Sequence, residues 1–92
     1  MKQRYTSIKK CELETVLTAT FEHNDKRTIQ NLIDSRLKRE RVLGRRLLGL
    51  ALLYDANPTV LHSLRESDDW KEIVFYREDE RNLSCEIVRV HA

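Results

Sequence analysis

The sequence predicts an α+β fold with an N-terminal strand, a helical middle and a C-terminal β-hairpin that completes a small antiparallel sheet. Three observations predict it. Side chains alternate in character near the N-terminus, apolar residues recur at helical spacing in the middle, and two short apolar runs flank a polar segment near the end. A chain of 92 residues supports one hydrophobic core and not two, so we expect residues 1–92 to form a single domain.

The predicted N-terminal strand spans Cys11–Phe21. Its odd positions carry mostly apolar or small side chains, its even positions carry Glu, Val and Thr, and this alternation is typical of a half-buried strand. A helix is the alternative, because Leu13, Val16, Leu17 and Thr20 also fit a stripe at helical spacing. The alternation favours the strand.

The helical middle is predicted to run from Lys26 to about Asp55. Asn24 or Asp25 can cap its first turn, since either side chain accepts a hydrogen bond from a backbone N–H that has no partner within the helix. Glycine costs a helix interior about 1 kcal/mol relative to alanine. The segment is therefore expected to be one long helix, or a helix that bends or breaks near Gly44. Its apolar stripe comprises Ile29, Leu32, Ile33, Leu37, Leu43, Leu47, Leu50, Ala51 and Tyr54.

A short second helix is predicted over Pro58–Arg65, because Asn57 can act as its cap and proline is favoured at the first helical position. Ser67–Asp69 predicts a loop. The last two strands are predicted over Glu72–Tyr76 and Leu83–Val90. The polar run Arg77–Asn82 is predicted to form the turn between them.

Composition excludes several classes of protein. The chain is 40% hydrophobic and 35% charged, and no stretch approaches the roughly 18 apolar residues that a membrane-spanning helix needs. Two cysteines cannot hold a disulfide scaffold together, and the polar N-terminus does not resemble a secretory signal. We therefore expect a soluble, cytoplasmic protein without a membrane partner.

Motifs for catalysis and for metal binding are lacking. Residues able to bind a metal are Cys11, His23, His62, Cys85 and His91, and no two lie within five positions of each other. Both glycines fall in the helical segment, so no glycine-rich phosphate loop exists, and no nucleophile signature is present. We expect no enzymatic activity, no cofactor and no metal.

The net charge of +2 conceals strong segregation of charge along the chain. Residues 1–10 carry +4, residues 11–25 carry −4, residues 26–46 carry +6 and residues 47–92 carry −4. A basic block of this kind can contact an anionic partner such as nucleic acid, or it can be compensated by the acidic segments of the same chain. Charge alone leaves both alternatives open.

The basic block places several cations on one side of the predicted helix. Lys38, Arg41 and Arg45 fall within about 60° of arc, with Arg39 and Arg46 further round. Arginine is well suited to phosphate oxygens because its guanidinium offers a planar fork of N–H donors. These five residues are the predicted contacts with DNA or RNA phosphates.

The same segment contains apolar residues at the alternating spacing of a coiled-coil seam, which predicts a homodimer. The predicted dimer interface consists of Arg36, Glu40, Leu43, Leu47, Leu50 and Tyr54. Arg36 and Glu40 interrupt the seam, and three explanations remain open. The two form a local ion pair, the helix is broken, or two copies pack antiparallel about a two-fold axis near residue 38 with each Arg36 facing Glu40 of the other copy. Apolar side chains point in all directions over residues 47–54, so protein must enclose that stretch.

Two functional hypotheses follow from these patterns. The first is a small, dimeric, nucleic-acid-binding regulator that has no enzymatic activity and contacts phosphates through its arginine-rich helix. The second is a protein-interaction module, such as an inhibitor or adaptor, that docks on a larger protein through the charged helix or the acidic hairpin Glu72–Arg89.

Overall fold

The chain folds, in a computed structural model that describes residues 2–79 and 82–90, as one strand, four α-helices and a hairpin. This order confirms the predicted α+β class. His91, considered above as a metal ligand, lies outside the described residues, as do residues 80–81 of the predicted turn. The elements are β1 (Gln3–Lys9), a 3-10 turn (Lys10–Glu12), α1 (Leu13–Glu22), α2 (Lys26–Ile33), α3 (Lys38–Ala56), α4 (Pro58–Glu66), β2 (Trp70–Arg77) and β3 (Leu83–Arg89).

The three strands form one antiparallel sheet in the order β1-β2-β3. The register places apolar side chains side by side on one face, with Ile8 and Ile87 flanking Ile73, and Cys85 opposite Phe75. Ile8 and Ile73 are completely buried. Helix α3 packs against this face and contacts both edge strands, so the hydrophobic core lies between α3 and the sheet.

The prediction of a strand over Cys11–Phe21 is wrong, because these residues form the 3-10 turn and then α1. The alternative prediction, an apolar stripe at helical spacing, describes how this segment packs. Leu13 and Val16 are buried, and Leu17 packs against the core. The N-terminal strand of the fold is β1, in which Ile8 is the one buried side chain, so its alternation in the sequence is faint.

The helical middle breaks at residues 34–37 and not near Gly44. Ser35 organises the turn, since its hydroxyl accepts a hydrogen bond from the backbone N–H of Leu37 at 3.1 Å and donates to the Glu40 carboxylate at 2.5 Å. Such local bonds between side chain and backbone compete with helix continuation. Two helices therefore replace the long one.

Helix α3 continues through both of its glycines because each allows a close approach. A Cβ atom at Gly44 would lie 2.7 Å from the backbone nitrogen of Ile33, where α2 packs on α3. A Cβ atom at Gly49 would lie 3.0 Å from ring atoms of Phe75 in the sheet. The glycines thus bring α3 into contact with a helix and with the sheet, and they do not end it.

The predicted starts of α2 and α4 are confirmed. Asp25 caps α2 by accepting a hydrogen bond from the backbone N–H of Arg27 at 3.3 Å. Asn57 occupies the N-cap position of α4 and Pro58 the first helical position.

The predicted C-terminal hairpin is confirmed, and it begins earlier than the sequence indicated, at Trp70. The indole Nε1 of Trp70 donates to the carbonyl oxygen of Leu64 at 2.8 Å, and the ring is buried. This bond satisfies the polar atom of a large core side chain and fixes the end of α4 against β2.

Candidate nucleic-acid interface

The predicted dimer seam does not run along one helix. Arg36 lies in the turn between α2 and α3, and the Glu40 carboxylate accepts from the Ser35 hydroxyl. The antiparallel pairing about residue 38 therefore lacks a continuous helix to follow, and the explanation that the helix is broken applies. Leu47 and Leu50 are 0% and 1% exposed within a single copy, so the chain itself encloses them.

The remaining members of the predicted seam are more accessible than these two leucines. Leu43 is partly buried against the core, and Tyr54 is 55% exposed. Of the stretch 47–54, which was expected to be enclosed by protein, Leu52 is also exposed. A homodimer remains a prediction, and of the predicted interface Tyr54 is accessible to a second copy whereas Leu47 and Leu50 are not.

Three of the five predicted phosphate contacts are exposed on α3. Lys38 and Arg39 form its first turn, and Arg45 follows two turns later on the side that faces away from the core. All three side chains are open to solvent and can reach an anionic partner.

Arg41, in contrast, is engaged with the backbone of its own chain. Its Nη1 atom donates to the carbonyl oxygen of Ser35 at 3.0 Å and to that of Arg36 at 2.8 Å. Arg41 thus closes the turn between α2 and α3, a role that a substitution at this position would disturb.

Arg46 is engaged more completely. Its Nε donates to the carbonyl oxygen of Ser7 at 3.0 Å, its Nη2 lies 3.1 Å from Oε2 of Glu12, and its side chain is 24% exposed. Arg46 therefore ties α3 to β1 and to the 3-10 turn, and the internal compensation of charge considered above applies to it.

A further arginine, Arg77, lies next to the exposed cations of α3, because it and Arg45 contact the same Tyr5 ring. The guanidinium carbon of Arg45 lies 5.5 Å from the centre of the Tyr5 ring, and that of Arg77, at the end of β2, lies 5.0 Å from it. Both distances are those of cation–π contacts. Burial raises the pKa of the Tyr5 phenol, although Arg77 and Arg45 act in the opposite direction, so the ring remains neutral.

The sequence analysis missed Tyr5 and Arg77 because they meet Arg45 only in the folded chain. The signal that was available was the location of Tyr5 in the basic block of residues 1–10. We call the three exposed cations of α3 and the neighbouring Arg77 the basic face, which comprises Lys38, Arg39, Arg45 and Arg77.

The basic face lacks internal compensation. Ion pairs elsewhere in residues 2–79 and 82–90 join Arg4 to Glu72, Lys10 to Asp68, Arg46 to Glu12, Arg65 to Glu14 and Arg89 to Asp69, and His23 and His62 lie beside Glu22 and Glu66. None of these pairs includes a residue of the basic face. Its positive charge is therefore available to a partner.

Other chemistry is not apparent in the described parts of the chain. Among these residues, no group of three His, Cys, Asp or Glu side chains gathers in the manner of metal ligands. Cys11 and Cys85 are not joined in a disulfide, and burial raises the pKa of the Cys85 thiol, which lowers its thiolate fraction at neutral pH. No helix within the described ranges is long and apolar enough to cross a membrane.

Comparison with known proteins identifies no relative of this chain. No family model, curated protein or solved structure matches the chain. The function is therefore inferred from the surfaces of the molecule.

Proposed function

We propose that this protein is a small nucleic-acid-binding regulator, without enzymatic activity, that contacts phosphates through the basic face. The observation that carries the proposal is the presence of four exposed cations, none of which takes part in an ion pair within residues 2–79 and 82–90. Arginine and lysine side chains that neutralise phosphates account for most sequence-independent affinity for nucleic acid.

The start of α3 supports the same proposal. Lys38 and Arg39 place positive charge in the first turn of a helix, where the macrodipole disfavours a cation by about 0.3–1 kcal/mol. Leu37, at the N-cap, has no side-chain oxygen to accept from the backbone N–H groups of that turn. The backbone N–H of Glu40 already donates to the carbonyl oxygen of Leu37 at 3.1 Å. A phosphate oxygen would accept from the N–H groups of Lys38 and Arg39 and would also neutralise the two cations.

A double-stranded backbone is the partner that we propose, because proteins that bind single strands use exposed aromatic rings on which bases stack. Near the basic face, the Tyr5 ring is covered by Arg45 and Arg77. On the sheet, Phe75 is buried and Tyr76 lies under Lys2. The proposed contacts are to phosphates and carry no sequence information.

The test is the salt dependence of binding to short DNA and RNA duplexes of unrelated sequence. We expect affinity to fall as salt rises, with a slope of about −0.9 in the double-logarithmic plot for each phosphate neutralised on DNA. Replacing Lys38, Arg39 and Arg45 together with glutamine should reduce the slope by about 2–3 and weaken every duplex alike.

Arg89→Gln is the matched control. Arg89, at the end of β3, is also exposed, but its Nη1 atom lies 2.9 Å from the Asp69 carboxylate in an ion pair. For each charge removed, this variant should lower the affinity for a duplex far less than the variant of the basic face does. Absent or salt-insensitive binding would contradict the proposal, as would equal losses at Arg89 and at the basic face. Recovery of a stoichiometric protein partner after nuclease treatment would instead favour the interaction-module hypothesis.

A further inference from the structure

A groove of about 570 Å³ lies between α1, α3 and α4, with Ile29 of α2 also in its lining, on residues that do not belong to the basic face. Its lining is mainly apolar and includes Leu17, Phe21, Tyr54, Pro58 and Leu61. The Phe21 side chain, near the end of α1, is 85% exposed. A phenylalanine that becomes fully buried gains about 1.5–3 kcal/mol, so this ring favours a covered state that a single copy does not provide.

We propose that a second copy of this chain covers the groove about a two-fold axis, with Phe21 of each copy inserted into the groove of the other. A two-fold interface uses the same patch on both subunits and must be self-complementary. This patch meets that requirement, because it carries a protruding ring beside an apolar depression. Tyr54, which is half-exposed in the same groove, offers an aromatic surface against which the incoming ring can pack.

Charge around the groove is also complementary between two copies. Glu22 follows Phe21 and its side chain is 71% exposed, while Arg65 lines the groove from α4 with 53% of its side chain exposed. Arg65 already donates to Glu14 from Nε at 2.8 Å and from Nη2 at 3.3 Å, which leaves the N–H groups of Nη1 for a partner. Asp55 lines the groove from α3 and would repel the Glu22 carboxylate of the other copy, whereas Arg65 of α4 would attract it. We therefore expect the inserted segment to place Glu22 on the α4 side.

Such a dimer needs more surface than the groove alone. A stable interface buries about 800 Å² on each partner, which is roughly an eighth of the 6813 Å² surface of this chain. The proposed interface therefore includes the exposed sides of α1 and α4 next to the groove. No member of the basic face lines the groove, so pairing would leave both basic faces accessible.

The test is the solution mass of the full chain without nucleic acid, by sedimentation equilibrium over a range of concentrations. We expect the wild type to be a dimer whose thermal unfolding temperature rises with protein concentration, because association stabilises the folded state. Phe21→Ser should be a monomer that unfolds cooperatively at a temperature independent of concentration, because the exposed ring contributes little to the fold of one copy. Val90→Ser is the matched control, since Val90 is 52% exposed and lies outside the groove. That variant should remain dimeric.

A charge reversal tests the orientation within the groove. Glu22→Lys should weaken dimerisation about fivefold or more, since it brings a cation toward Arg65. Glu78→Lys, which makes the same change of charge on the hairpin, should leave the dissociation constant unchanged.

A wild type that stays monomeric at all concentrations would overturn the proposal and leave the groove to a helix of another protein. A dimer that persists in Phe21→Ser would overturn it as well. Because the measurement contains no nucleic acid, either result is independent of the proposed function.

Discussion

Lys38 occupies a position that carries a local electrostatic cost. It stands at the positive end of α3 and one turn before Arg41, so both the macrodipole and a neighbouring cation act against it, while Glu40 in the same turn acts in the opposite direction. Residues that break a local rule of this kind are expected at functional sites.

We predict that Lys38→Glu increases stability and decreases affinity for nucleic acid. The carboxylate would interact favourably with the helix N-terminus and with Arg41, which should raise the free energy of unfolding by about 0.3–1 kcal/mol. It would also remove a cation from the basic face. Denaturant unfolding and duplex titration on one preparation would measure both effects.

Lys71→Glu provides the comparison, because Lys71 is exposed on β2 and the change of charge is identical. It should not stabilise α3. A Lys38→Glu variant that is less stable, or that binds as well as the wild type, would contradict the interpretation of this position.

Which cations are available to a partner could not be read from the sequence. Spacing placed Arg41 and Arg45 on one side of a helix, with Arg46 further round. Their different roles depend on acceptors that the fold supplies, namely the carbonyl oxygen of Ser7 for Arg46 and those of the α2–α3 turn for Arg41. Backbone acceptors carry no signature in the sequence, so only the folded chain separates these arginines.

At the level of elements, the crossing of α2 and α3 depends on Gly44. We predict that Gly44→Ala lowers the free energy of unfolding by on the order of 1–3 kcal/mol, although alanine favours the helix by about 1 kcal/mol. The reason is that the new Cβ atom would meet the backbone nitrogen of Ile33 at 2.7 Å. Urea unfolding followed by Trp70 fluorescence would measure the loss, and an Ala variant as stable as the wild type would refute this account of the crossing.

The elements that the sequence predicted well are those with a strong local signal. Asp25 and the pair Asn57-Pro58 marked the starts of α2 and α4, and two short apolar runs on either side of a polar segment marked the hairpin. The segment Cys11–Phe21 fits both the alternation of a strand and the apolar spacing of a helix. Burial of Leu13 and Val16 against the other helices decided for the helix, and tertiary packing of that kind is not visible in a local pattern.

At the scale of the whole molecule, the two candidate surfaces have different chemistry. The basic face is hydrophilic and forms no ion pair within residues 2–79 and 82–90, whereas the groove is mainly apolar, with Asp55 and Arg65 among its lining residues. Each surface could be predicted from the sequence only in part. The groove is assembled from four helices. Tyr54 was placed in the predicted dimer interface, whereas Phe21 was assigned to a strand.

We predict that the free energy of unfolding falls in acid, because the carboxylates of Asp68 and Asp69, which follow α4, become protonated. The Lys10 ammonium, 2.6 Å from Asp68, lowers the pKa of that carboxyl below 3.8, and the Ser67 hydroxyl and Arg89 do the same for Asp69. A lowered folded-state pKa means that this stabilisation is present above the unfolded value and is lost as pH falls through the folded one.

The check is the urea midpoint at about pH 5 and at about pH 2. Asp68→Asn should be less stable than the wild type at the higher pH and should show a smaller difference from it at the lower. Both carboxylates are exposed, so the effect is expected to be small. A difference that stayed constant with pH would show that the carboxylate charge of Asp68 does not contribute.

The contact between Gly49 and the Phe75 ring has a consequence for how this chain can change over evolution. Because a Cβ atom at position 49 would stand 3.0 Å from the ring, a larger residue on the helix needs the ring to shift by a few tenths of an ångström, and a smaller side chain on the strand would remove that need. The two positions should therefore covary among descendants of this sequence. In the laboratory, Phe75→Leu should recover part of the stability that Gly49→Ala removes, so that the double variant is more stable than the sum of the single losses implies.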